Sequence, residues 1–173
     1  MPDWNRLFER NSKMGLAMCV DLSYNESNRK HEKEGLTVIQ IIFGKKGSGK
    51  TKRILDMANT SVKEAKGNVL FIDDDKSYTL SLKPQIRFID ASEYAVKGEE
   101  TFYGFLAGIL AGNYDISVLY IDAFLKLVKA EPAALVDFFA KLEKLVDNAG
   151  CDIVISFSED AANVPECIRK YQI

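Results

Sequence analysis

The stretch from Thr37 to Thr51, TVIQIIFGKKGSGKT, restricts what this chain can fold into more than any other. An apolar run (Val38, Ile39, Ile41, Ile42, Phe43) stops at Gly44. Gly44, Gly49, Lys50 and Thr51 then fall on the defining positions of G-x-x-x-x-G-K-[ST]. A chain of ordinary composition matches that pattern by accident about once in a hundred. The flanks sharpen it, because a buried strand precedes the loop and a helical pattern follows. Glycines at Gly44, Gly47 and Gly49 let the backbone curl, so that the N–H groups of Lys46, Gly47, Ser48, Gly49 and Lys50 converge on phosphate oxygens. The N-terminus of the following helix adds unpaired donors and the positive end of its dipole.

Residues Gly44, Lys45, Lys46, Gly47, Ser48, Gly49, Lys50 and Thr51 resemble the phosphate loop of the P-loop NTPase superfamily. The resemblance spans roughly Thr37 to Asp160 and implies a nucleotide ligand, ATP being the expected one, with Mg²⁺. It implies that Lys50 reaches the β- and γ-phosphates and acts in catalysis, and that the Thr51 hydroxyl binds the metal ion. The chain as a whole resembles small bacterial ATP-binding proteins.

At 173 residues the chain is one domain by length, large enough for a substantial core. A formal charge of −2 gives no global attraction to nucleic acid or to an anionic membrane. No stretch approaches the ~18 consecutive apolar residues of a membrane span. Cys19, Cys151 and Cys167 show no metal-ligand or C-x-x-C spacing, and His31 lies in a charged run with no visible catalytic partner. The cytoplasm is the expected compartment.

Residues 1–34 read as an N-terminal extension ahead of a nucleotide-binding domain over 35–173. Trp4, Leu7 and Phe8 have helical spacing, and Asn25 to Glu34 is an almost wholly polar linker. After the loop, Ile54, Leu55, Ala58, Val62 and Ala65 mark one face of a helix ending near Gly67. Asn68–Asp73, Ile86–Ile89, Ile116–Ile121 and Asp152–Phe157 read as strands. Thr101–Leu110 reads as a helix buried on more than one face. A further helix begins at or just before Pro132 and stops at Gly150. Strands alternating with helices predict an α/β domain of three layers with a mostly parallel sheet.

In such sheets ligands sit beyond the carboxyl ends of the strands. Three strands finish there in acidic or polar residues: Asp73–Asp75, Asp122, and Ser156–Asp160. Asp122, after ISVLYI, resembles a Walker B aspartate, which would hold Mg²⁺. Many ATPases of the additional-strand branch place a glutamate directly after that aspartate to polarise water, and here the position is Ala123. Either catalysis is slow or a carboxylate from another strand end does the work; the candidates are Glu159, Asp160 and the Asp73–Asp75 group, with Asp73 and Glu159 foremost. Ser156 or Ser158 would sense the γ-phosphate.

The loop also resembles the deviant form of the MinD and ParA-like class, with Lys45 at the position of the lysine that crosses a dimer, although Lys46 replaces a glycine. Three functions compete. The first is slow ATP hydrolysis coupled to an unknown protein partner or to a homo-oligomer. The second is phosphoryl transfer to a small acceptor such as a nucleoside. The third is nucleotide sensing without turnover.

Overall fold

The computed structural model describes residues 38–173. The expectations for residues 1–34, including Cys19 and His31, lie outside the described residues. Five strands form one sheet in the order β1-β5-β4-β2-β3, with every neighbouring pair parallel. They are β1 (Ile39–Phe43), β2 (Asn68–Asp73), β3 (Ile86–Asp90), β4 (Ile116–Ile121) and β5 (Asp152–Phe157). The helices are α1 (Lys50–Ser61), α2 (Glu99–Gly112), α3 (Phe124–Val128), α4 (Val136–Ala149) and α5 (Glu166–Arg169). The fold is α/β, and its sheet is parallel throughout rather than mostly so.

The strand sequences explain why both faces are covered. Ile41 and Ile42 point to opposite sides; in β2, Leu70 and Ile72 share one side and Val69 and Phe71 the other. One face packs Ile42, Val69, Phe71, Val118 and Val154 against Ile54, Leu55 and Ala58 of α1. The other packs Ile41, Leu70, Ile72, Leu119 and Ile155 against Phe102, Leu106 and Leu110 of α2 and Phe138, Phe139 and Leu142 of α4. Strands apolar on both sides leave no polar alternation to expose, which is what a doubly covered parallel sheet requires. Among the described residues no helix is long and apolar enough to cross a membrane.

Three elements depart from the periodicity reading. Helix α1 ends at Ser61, short of Gly67. The Thr60 and Ser61 hydroxyls donate to the carbonyls of Asp56 (2.8 Å) and Ala58 (2.9 Å). Lys63 and Glu64 then make i→i−3 bonds that tighten the chain into turns. Helix α2 buries one stripe, Phe102, Leu106 and Leu110, while Tyr103, Phe105 and Ile109 are only partly covered. The first turn after Pro132 is 3₁₀, and the α-helix begins at Val136.

The stretch after α5 returns to the sheet. Ile41 donates to the Tyr171 carbonyl (2.8 Å), Ile173 donates to the Ile41 carbonyl (3.1 Å), and Gln172 lies parallel to Ile41. The outer edge of β1 is therefore paired.

Candidate phosphate site

β1 delivers the chain to Gly44, whose N–H donates to the carbonyls of Phe157 (3.3 Å) and Glu159 (3.0 Å) at the end of β5. A Cβ on Gly44 would lie 2.4 Å from the Ser48 hydroxyl oxygen, so the loop closes over this residue. Ser48 N–H donates to the Lys45 carbonyl (3.1 Å), and Gly47 and Gly49 adopt φ of 85° and 86°. Left-handed backbone of this kind costs an alanine roughly 1–2 kcal/mol. Gly49→Ala is accordingly expected to destabilise the fold by about 1 kcal/mol, read as a lower urea midpoint with an unchanged slope.

Gly49 also caps α1, its carbonyl accepting from Arg53 N–H (3.1 Å). The first turn of this helix holds no acidic side chain to offset its positive end. Lys50 opens the helix and is 8% exposed, whereas Lys45 to Gly49 stand in solvent. The Lys50 ammonium donates to the Lys45 carbonyl (3.0 Å), leaving further donor capacity. Burial pulls the Lys50 pKa down, and the Asp122 carboxylate opposes that shift.

Asp122, 5% exposed, ends β4 with its N–H on the Ile72 carbonyl (2.9 Å), so the ends of β4 and β2 run side by side. Its Oδ1 accepts from Ala123 N–H (2.8 Å) and from the Ser156 hydroxyl, which is 1% exposed. Asp73, 3% exposed, lies at the end of β2, and its Oδ1 accepts from Asp74 N–H (2.7 Å). Burial pushes the Asp73 carboxyl up to about 7, the Asp74 amide opposing and the carboxylates of Asp122, Asp74 and Asp75 adding to it.

Glu159 lies in the turn after β5. Its Oε1 accepts from Asn163 Nδ2 (2.9 Å) and from Asp160 N–H (2.9 Å), and these bonds hold its pKa below the usual glutamate range. Lys45 makes a surface pair with Asp160 at 3.7 Å. Lys50, Asp122, Ser156 and Asp73 thus gather at one end of the sheet, while the Glu159 carboxylate is engaged with its own turn. Thr51 is half-buried on α1.

Two groups here escaped the sequence reading. Asp90 ends β3 directly beside Asp73 and accepts from the Ser92 N–H (2.9 Å) and hydroxyl (2.6 Å). The rule that singled out Asp73 and Asp122, a carboxylate closing an apolar run, would have found it. Lys126, on α3, pairs with Asp74, and nothing local in the sequence links those positions. A groove of about 560 Å³ runs along α1 from Gly49 of the loop past Arg53, Met57 and Glu64 to Tyr120; Lys50, Asp73 and Asp122 do not line it.

No protein-family model matches the chain, and a search of curated proteins returned no match.

Proposed function

We propose that this chain binds a magnesium–nucleotide complex, ATP being the expected ligand, and slowly hydrolyses its terminal phosphoanhydride in step with a partner or with self-assembly. The observation that carries this reading is the largely buried Lys50 at the start of α1, a helix with no acidic residue in its first turn, within the field of Asp122 and behind an exposed glycine loop. Such a constellation concentrates N–H donors and positive charge where an anion can enter. The sheet order supports the additional-strand branch over the MinD and ParA-like class, because β5 stands between the loop-bearing β1 and the Asp122-bearing β4.

The donor set suits magnesium. Among the described residues no cluster of three or more His, Cys, Asp or Glu could hold a metal by itself. Mg²⁺ in nucleotide sites takes one or two protein oxygens and completes its shell with phosphates and water. The Asp122 carboxylate and the Thr51 hydroxyl are hard oxygen donors of that kind. When bound, the ion would neutralise charge on the phosphates.

Asp73 is the better base of the two candidates. A carboxyl titrating near 7 can accept a proton at working pH, whereas one held low by two donors is a poor acceptor. Water attacks the γ-phosphorus, the bond to the bridging oxygen breaks, and Asp73 takes the water's proton. The same carboxylate would serve an acceptor hydroxyl in the kinase reading, so phosphate release and phosphoryl transfer are measured side by side.

Binding is tested first. At a hundred times Kd, Mg-ATP is expected to stabilise the fold by ~2.7 kcal/mol, which raises the melting temperature by about 5–10 °C at this size. No shift with either Mg-ATP or Mg-GTP removes the nucleotide-binding reading.

A further inference from the structure

Among the described residues the non-glycine positions with left-handed backbone are Ala95 (φ 52°), Ala123 (φ 51°) and Lys129 (φ 51°). Two of them, Ala123 and Lys129, bracket α3, and Ala123 directly follows Asp122. The segment carrying the third is joined to α3 by a bond from Gly98 N–H to the Leu127 carbonyl (3.4 Å). Each such residue costs roughly 1–2 kcal/mol, and a single helical turn does not return that through its own bonds. The turn is held from below by Phe124, fully buried, with ring centroids 5.6 Å from Phe102, 5.5 Å from Phe138 and 5.6 Å from Phe157. What this strained and anchored turn presents at the strand ends is Lys126.

We propose that Lys126 is a positioning residue for Asp73; the proposal rests on Asp73 being the base in the reaction above. The Lys126 ammonium pairs with the Asp74 carboxylate, so a cation from the end of β4 grips the residue that follows β2. The backbone N–H of that same residue donates to Asp73 Oδ1 (2.7 Å). With Asp74 gripped through its side chain, its amide is fixed, Asp73 Oδ1 is committed, and Oδ2 is the oxygen left to take a proton. A purely surface ion pair would be worth little. This one joins a Lys126 side chain that is 67% exposed to an Asp74 side chain that is only 14% exposed, and Lys126 also feels the charges of Asp75 and Asp73. The strain at Ala123 and Lys129 then has a use, since it sets the turn that aims the lysine.

The test uses Lys126→Gln and Lys126→Arg in the full chain with two independent readouts. The first is hydrogen exchange of the Asp74 amide by NMR, which needs no nucleotide. The second is Mg-ATP turnover set against Mg-ATP affinity. In Lys126→Gln the Asp74 amide is expected to exchange about tenfold faster and kcat to fall about tenfold, each corresponding to 1.4 kcal/mol, with Kd unchanged. Lys126→Arg keeps the cation and is expected to restore both. Unchanged Asp74 exchange in Lys126→Gln overturns the proposal, as does a loss of turnover that arginine fails to rescue. Absence of turnover in the unmodified protein defeats the hydrolysis reading alone, and the exchange measurement still decides whether Lys126 fixes Asp74.

Discussion

Replacing Lys50 by alanine is expected to weaken Mg-ATP binding by about 10- to 150-fold, the equivalent of losing one hydrogen bond to a charged group at roughly 1.5–3 kcal/mol. The lysine is not a generic surface cation that a neighbour can replace. It is buried to 8% exposure, bonded to the Lys45 carbonyl at 3.0 Å, and set at the first position of α1. Lys45, Lys46 and Lys52 are exposed and carry no such constraint. Isothermal titration of wild type and variant checks the result, with circular dichroism to show that the fold persists. An unchanged Kd would remove Lys50 from the phosphate site and with it the reading of the loop.

Asp73→Asn is expected to show a double effect. Turnover falls by roughly 10²–10⁴, the usual contribution of a positioned general base, while Mg-ATP affinity stays near wild type. Stability moves the other way. The folded-state pKa, about 7, lies above the ordinary aspartate value of 3.8. Between those two values the folded state holds a proton that the unfolded state has released, so stability falls as pH rises through that window. Asparagine keeps the oxygen that accepts from Asp74 N–H and has no charge to desolvate. The variant should therefore melt close to wild type at pH 4 and above it at pH 8. If the wild-type protein hydrolyses Mg-ATP as proposed, kcat should rise with pH through about 7 as Asp73 loses its proton. A flat kcat profile, or a variant as fast as wild type, would assign the proton transfer elsewhere.

How much of this could be read from the chain depended on whether the determining contact was local. The loop, the β1 run and the helix after it are encoded within a few residues, and their placement followed from glycine spacing and apolar periodicity. The sheet class followed too, because apolar runs such as VLFI and IVIS have no polar side to expose. Helix α3 was invisible for the opposite reason. Its five residues, FLKLV, are too few to show a period, and its ends are an alanine and a lysine in left-handed backbone rather than glycines. Thr79–Ser81 is a 3₁₀ turn presenting a fully exposed Leu80, where the sequence offered only weak alternation. That turn is pinned from α1, where Asn59 donates to the Ser81 carbonyl (2.8 Å) and accepts from Lys83 N–H (2.8 Å). Partners such as Lys126 with Asp74, or Ser156 with Asp122, meet only once the strands are stacked in an order that chain position does not reveal.

That strand order also bears on how the protein comes into being. Among the named strands β1 hydrogen-bonds only to β5, and its first contact there, Val38 N–H on Asp152 Oδ1, bridges 114 positions. Closing so long a loop is entropically slow and comes late in folding. During synthesis β2, β3 and β4 can pair with one another while the stretch that bears the loop has nothing to lie against. Nucleotide binding should accordingly appear abruptly, after β5 has left the ribosome, rather than growing with chain length. Among the described strands, the one translated first is the one seated last.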